Sequence, residues 1–110
     1  MTSNSSRIAN VFIIITSKNN EFISEIINDA SLIESYDYFF YGNLKAKFDI
    51  YQIETDTKIK ITDINPPTVT NYISTKFLEK FASVEDARSE LVALAPSNNP
   101  NIQLTKASSI

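Results

Sequence analysis

The residues with the clearest potential for binding chemistry are lysines and tyrosines in the middle third of the chain. Between positions 45 and 60 they alternate with apolar residues, so a β-strand would place them together on one face. Basic strands with interleaved aromatic side chains can hold single-stranded nucleic acid by stacking and phosphate contacts. The same pattern is typical of a solvated face with edge-protecting lysines, which Asp49 and Glu54 favour. The candidate partner-binding residues are Tyr41, Lys45, Lys47, Tyr51, Lys58 and Lys60.

Acidic residues at helical spacing form a second set of candidates. Carboxylates four residues apart on a helix could hold a hard cation or perform acid–base chemistry. Neither segment contains the glycine that lets a calcium-binding loop turn sharply, and acidic helix faces are usually only solvated. We therefore predict no metal site and no catalytic residue here. The two groups are Glu21, Glu25 and Asp29, and Glu79, Glu85, Asp86 and Glu90.

The composition excludes several classes of active site. The sequence has no cysteine and no histidine, which removes thiolate nucleophiles, zinc-finger ligands and the commonest general base. Its one glycine cannot build a dinucleotide fingerprint or a phosphate-binding loop. A net charge of −3 gives no long-range attraction to nucleic acid or to anionic membranes. We expect a protein without cofactor or enzymatic activity, whose partner is a protein rather than a nucleic acid.

Alternating apolar and polar side chains predict a β-meander over 36–63. If Thr55-Asp56 is a two-residue loop, Ile50 lies opposite Ile61, and Ile53 faces Lys58 on the exposed side. The inner face then collects Ala46, Phe48, Ile50, Ile59 and Ile61.

Upstream of this pair, Gly42-Asn43 indicates a hairpin after an aromatic strand. A loop that includes Leu44 buries three aromatic side chains rather than one, so we prefer it to a shorter loop. That loop aligns Tyr36, Tyr38 and Phe40 with Ile50, Phe48 and Ala46.

The N-terminal third predicts a strand and then a helix. Val11 to Ile15 is apolar on both faces, which is typical of a central strand. A helix at 19–33 is predicted because six apolar residues recur at helical spacing. The alternative is a hairpin in which Glu21 to Ile27 pairs back on the first strand, because this segment is rich in β-branched residues. The six residues are Phe22, Ile23, Ile26, Ile27, Ala30 and Ile33.

The C-terminal third predicts a strand over 69–78 and a helix over 83–95. Pro66-Pro67 ends the preceding strand, and Ser83 with Asp86 forms a capping box that opens the helix. Ile102 to Thr105 is interpreted as a short edge strand. The helix residues predicted to face the sheet are Val84, Ala87, Leu91 and Leu94.

These elements indicate an α+β fold with an antiparallel sheet of about five strands, on which the C-terminal helix packs. We expect one domain over 7–106 with flexible tails at 1–6 and 107–110, no membrane span and a cytoplasmic location. The function this favours is a small non-enzymatic protein–protein interaction or regulatory module, acting through a sheet edge or the lysine–tyrosine face, either alone or as a subunit of a larger assembly. The alternatives are a single-stranded nucleic-acid binder, a carboxylate-based enzyme, and a small-molecule carrier whose cavity is lined by Tyr36, Tyr38, Phe40, Phe48 and Phe77.

Overall fold

The structure is a computed structural model that describes residues 7–27, 30–95 and 98–109. Within these ranges the chain forms seven strands, a short 3₁₀ turn at Thr75–Phe77 and one α-helix. Residues 1–6, predicted as a tail, lie outside the described part, as do Asp29 and residue 110. The elements are β1 (Arg7–Lys18), β2 (Phe22–Ile26), β3 (Ser31–Phe40), β4 (Asn43–Thr55), β5 (Lys58–Asp63), β6 (Thr70–Ser74), α1 (Val84–Leu94) and β7 (Ile102–Ser109).

All seven strands belong to one antiparallel sheet in the order β6-β5-β2-β1-β4-β3-β7. The predicted combination of an antiparallel sheet with a C-terminal helix is confirmed, although the sheet has seven strands rather than about five. β1 lies in the centre, as its apolar run predicts, and the C-terminal segment forms an edge strand that continues through residues 107–109.

Apolar side chains are buried on both faces of the central strands. On one face, α1 packs with Ala87 and Leu91 against Ala46, Phe48 and Ile50 of β4. On the other face, a second cluster joins four isoleucines from β1, β4 and β5, each at most 4% exposed. The sheet therefore has two separate cores, and the second consists of Ile13, Ile15, Ile53 and Ile59.

The second core forms because β2 leaves β1 soon after the hairpin that joins them. The two strands are in register at Lys18 and Phe22, and β2 pairs along its whole length with β5. Serine side chains replace ladder hydrogen bonds at this point: the Ser24 amide donates to Ser17 Oγ at 2.9 Å, and Ser24 Oγ donates to the Thr16 carbonyl at 2.6 Å. The ribbon of β2 and β5 can then carry Ile26 and Ile59 onto the face of β1 and β4.

The predicted helix at 19–33 is wrong. The segment forms a strand, as in the hairpin alternative, but it pairs with β1 only at Lys18 and Phe22 and otherwise with β5. Asn20 adopts a positive φ of 66° in the turn after β1, and the following residues form β2 and the start of β3. The apolar residues fit helical spacing, but Ile23 and Ile27 are 49% and 45% exposed, so no helical stripe is buried here. The segment is rich in β-branched residues, which favour strands over helices. Its pairing with β5 therefore stabilises a strand more than the helical spacing of its apolar residues stabilises a helix.

The predicted pairing of β4 with β5 is also wrong. β4 pairs with β1 and β3, whereas β5 pairs with β2 and β6. The connection between them is held by Thr75, whose Oγ1 accepts from the Thr57 amide at 3.0 Å and donates to Asp56 Oδ1 at 2.8 Å. The predicted inner face is consequently divided: Phe48 and Ile50 lie under α1, whereas Ile59 and Ile61 belong to the second core.

The hairpin near Gly42 is confirmed, with a tighter turn than predicted. Tyr41 and Gly42 occupy the turn with φ of 51° and 75°, and Phe40 pairs with Asn43. Two positive φ angles match the right-handed twist of the flanking strands. The predicted register is wrong because Tyr36 lies opposite Phe48 rather than Ile50, and Phe40 is 37% exposed. Tyr36 and Tyr38 nevertheless pack against the core beneath α1, as their alternation predicts.

Gly42→Ala is expected to lower the free energy of unfolding by about 1 kcal/mol, because only the backbone conformation opposes the new side chain. A Cβ at this position meets nothing within 4 Å. Urea denaturation measures the change. Gly42→Asn is the matched control and should cost less, since asparagine tolerates a positive φ. Equal costs for the two variants would contradict this reasoning.

The C-terminal helix follows its sequence signals closely. Ser83 Oγ accepts from the Asp86 amide at 3.1 Å and caps the first turn. Ala87 and Leu91 are buried against the sheet, but Leu94 is 48% exposed, contrary to the prediction. The strand predicted over 69–78 is shorter, because Ser74 caps the 3₁₀ turn that follows β6. Across the described residues, no helix combines the length and apolar character needed to cross a bilayer.

Candidate interaction surface

The six candidate residues do not share a face. Tyr41 lies at the tip of the β3–β4 turn, and β1 and β2 separate the β4 residues from Lys58 and Lys60 on β5. Tyr51 packs against the second core, where burial, with the Asp49 and Glu25 carboxylates, raises the pKa of its hydroxyl. The structure thus keeps Lys58 and Lys60 on one face of β5 and Lys45 and Lys47 on one face of β4, and it separates these two pairs by two strands.

The acidic candidates are dispersed over the surface. Glu85 and Asp86 are exposed in the first turn of α1, and Glu79 and Glu90 border a shallow pocket of about 180 Å³. Within the described ranges, no group of three or more acidic residues is placed to hold a metal ion.

The aromatic residues of the carrier hypothesis are also distributed differently from the prediction. Tyr36, Tyr38 and Phe48 pack together beneath α1, with the Tyr38 and Phe48 rings edge to face at 6.0 Å. Phe77 is 83% exposed on the 3₁₀ turn. In the part of the chain that the structure describes, the rings of Tyr36, Tyr38 and Phe48 fill the space beneath α1. The five predicted residues, all within the described ranges, do not line a shared cavity.

Glu34 is the centre of a charged cluster that the sequence analysis did not identify. Its side chain is 6% exposed and receives hydrogen bonds from Arg88 Nε to Oε1 at 2.8 Å, from Arg88 Nη2 to Oε2, and from the Tyr36 hydroxyl to Oε1 at 2.7 Å. Lys106 Nζ lies 3.2 Å from Oε2. The cluster links α1 and β7 to β3 and stabilises the positions of both elements on the sheet.

These contacts determine the ionisation of the cluster. The Arg88 hydrogen bonds outweigh the cost of burial and lower the pKa of Glu34 from 4.5 to about 2. Burial and the neighbouring carboxylate raise the pKa of the Tyr36 hydroxyl. The alternation of the strand contained a signal for this cluster. Glu34, Tyr36 and Tyr38 are spaced two residues apart, so they lie on the same face of the strand, and an acidic residue on an aromatic, core-facing side needs a basic partner.

Among the described residues, β6 has a strand neighbour, β5, on one side only. It forms one edge of the sheet, and four of its five residues are exposed, so neither face of the strand is covered. The strand has no charged residue and no proline, the usual protections of an exposed edge. At the opposite edge, Leu104 of β7 packs against the core and Lys106 binds Glu34.

The hydrogen-bond pattern shows which backbone groups of β6 face away from the sheet. The Asp63 amide donates to the Val69 carbonyl at 2.9 Å, and the Thr75 amide donates to the Thr57 carbonyl at 2.8 Å. Residues with these odd numbers therefore direct their backbone groups to β5. Because the direction alternates along a strand, the even-numbered residues Thr70, Tyr72 and Ser74 present their N–H and C=O groups at the free edge.

The outer face beside this edge is partly apolar and partly basic. The register places Glu25 of β2, Lys60 of β5 and Tyr72 of β6 in one row across the three strands. Ile23 of β2 and Ile27, the residue after β2, are exposed, and Tyr72 is 56% exposed. The two lysines of this face, Lys58 and Lys60, lie on the strand next to β6.

No known family model, no curated protein and no solved structure matches this chain.

Proposed function

We propose that this protein is a small non-enzymatic module that binds a partner protein by accepting an extended segment of that partner as a new strand beside β6. The proposal rests on one observation: β6 is an edge strand without charged residues, and both of its faces are exposed. An added strand would use the backbone groups of Thr70, Tyr72 and Ser74, at about 1 kcal/mol net for each hydrogen bond. The outer face with Lys58, Lys60 and Tyr72 would supply side-chain contacts.

The separation of the core from this edge supports the same proposal. Both hydrophobic clusters are closed by β1, β4, β5 and α1. β6 contributes no residue to the buried part of either cluster, so it can accept a partner without rearrangement of the core. A module of this kind would act as a subunit of a larger assembly, with specificity set by the side chains that flank the edge.

Tyr72→Pro is expected to abolish partner binding while the protein stays folded. The Tyr72 amide points away from β5, so proline removes a donor at the free edge without removing a ladder bond. Immobilised wild-type and variant chains are compared for the proteins they retain from the native lysate, after cross-linking. The expected result is a protein retained in stoichiometric amount by the wild type and lost with Tyr72→Pro.

Two further variants make this result interpretable. Tyr72→Ala removes the ring but keeps the amide donor, so it should weaken binding less than proline does. Asn71→Pro removes an amide that faces β5 and should lower the thermal stability more than Tyr72→Pro. A partner retained equally by the wild type and by folded Tyr72→Pro would contradict the proposal.

A further inference from the structure

The two ends of β6 differ in charge. At the Val69 end lies a pocket of about 380 Å³ that contains the carboxylates of Glu21 and Asp63 together with apolar walls. Glu21 has a surface ion pair with Lys18 at 3.7 Å, in which both side chains are more than half exposed. This lysine offsets part of the Glu21 charge, so the negative charge of this end rests mainly on Asp63. The pocket is completed by Phe22, Asn65, Pro66, Pro67 and Val69.

The Ser74 end is basic. Lys58 lies opposite Ser74, and Lys76 follows in the exposed 3₁₀ turn. The Asp56 side chain, which contacts Thr75 next to Ser74, is 13% exposed and lies 3.5 Å from Lys80, so another lysine already balances its charge. An extended segment beside β6 would therefore meet positive charge at one end and negative charge at the other.

The register also assigns the faces of an added strand. A partner residue opposite Tyr72 would project to the outer face, on the same side as Lys60. Its two neighbours would project to the inner face beside Ile73, which is 39% exposed and paired with Ile59 of the second core. Apolar side chains at these alternate positions would extend that core beyond the present edge.

Building on the proposed function, we infer that the partner segment runs antiparallel to β6, with an acidic residue at its N-terminal end, alternate apolar residues, and a lysine or arginine at its C-terminal end. Antiparallel pairing is used throughout this sheet and is the more stable arrangement. It places the N-terminal end of the segment beside Ser74 and the basic end at the pocket of Glu21 and Asp63. A segment of about seven residues spans this distance.

The inference is tested with two capped peptides of identical composition. The first has glutamate at its N-terminal end, alternating valine and threonine, and arginine at its C-terminal end, and the second has glutamate and arginine exchanged. Each is titrated into the full ¹⁵N-labelled chain at low ionic strength. The first peptide should bind about tenfold more tightly, and the preference should shrink as salt is added. Asp63→Asn should reduce the preference in the same assay.

Amide hydrogen exchange locates the bound peptide. Exchange should slow at Thr70, Tyr72 and Ser74 when the first peptide is added, with little change at Asn71 and Ile73, whose amides already face β5. The contrary result is that the second peptide, with arginine at its N-terminal end, binds as tightly as the first or more tightly while it slows hydrogen exchange at the same amides. That result would overturn the inferred order of charges but would leave binding at the edge intact. Concentration-dependent protection of these amides without peptide would assign the edge to a second copy of this chain and overturn the inference.

Failure of the proposed function gives a different result. In that case neither peptide alters exchange along β6, and Tyr72→Pro retains the same proteins from the lysate as the wild type does.

Discussion

Glu34→Gln is expected to lower the free energy of unfolding at neutral pH by about 3 kcal/mol, the equivalent of a pKa lowered from 4.5 to about 2. The buried carboxylate accepts hydrogen bonds from Arg88 and Tyr36, and Lys106 lies beside it. Glutamine keeps the size of the side chain but removes the charge that these donors stabilise.

The pH dependence of this loss distinguishes ionisation from packing. Because folding lowers the pKa of Glu34, its stabilising contribution is complete above pH 4.5, the ordinary value, and declines as the pH falls towards about 2, the value in the folded protein. Subtracting the stability of Glu34→Gln from that of the wild type should give a constant difference above pH 5 or so, which approaches zero near pH 2. Urea denaturation at a series of pH values measures this difference.

Glu85→Gln is the matched control. Glu85 also approaches Arg88, with Oε2 3.9 Å from Nη1, but its side chain is 73% exposed. Exposed pairs contribute little to stability, and an exposed carboxylate in the first turn of a helix contributes less than about 1 kcal/mol, so this variant should lose far less stability at neutral pH than Glu34→Gln. If both variants lost the same stability, or if the Glu34→Gln difference did not vary with pH, the buried cluster would not act as described.

Local signals in the sequence identified several elements correctly. Ser83 marks the start of α1 because its hydroxyl accepts from the Asp86 amide within the first turn. Gly42 marks a hairpin because the backbone there requires a positive φ. In both cases the physical cause lies within a few residues, so no knowledge of the tertiary structure is needed.

The strand pairing could not be predicted by the same means. The alternation in β4 and β5 predicts that each strand has one apolar and one polar face. It does not select the neighbouring strand, because any strand whose apolar residues lie on the same face would fit equally well. The structure pairs β4 with β1 and β3, and the segment predicted as a helix over 19–33 contains β2 and the start of β3. The structure of these segments depends on pairing between strands that are distant in the sequence, and such pairing cannot be read from one sequence alone.

The interaction surface was partly missed for the same reason. A face made of Lys45, Lys47, Lys58 and Lys60 requires β4 beside β5, and this pairing does not occur. That β6 is an edge follows from the order of the whole sheet. The sequence did contain one indication, since the segment from Thr70 to Ser74 has neither a charged residue nor a regular apolar alternation. The structure shows that this strand is exposed at the edge of the sheet.

Ile53→Ala tests the most consequential departure from the sequence pattern. Strict alternation places Ile53 on the exposed face with Lys47 and Tyr51, where truncation would cost little. In the structure Ile53 is 1% exposed and packs with Ile13, Ile15 and Ile59. Truncation there is expected to lower the free energy of unfolding by about 3 kcal/mol, because it leaves a cavity in a closed cluster.

Ile23→Ala is the matched control, since it makes the same chemical change at a side chain that is 49% exposed. It should cost less than about 1 kcal/mol, because about half of the residue's surface already contacts water. Urea denaturation of the two variants compares them directly. A loss for Ile53→Ala no greater than that for Ile23→Ala would mean that β2 and β5 do not cover this face. The second core, and with it the position of β6 at an open edge, would then be wrong.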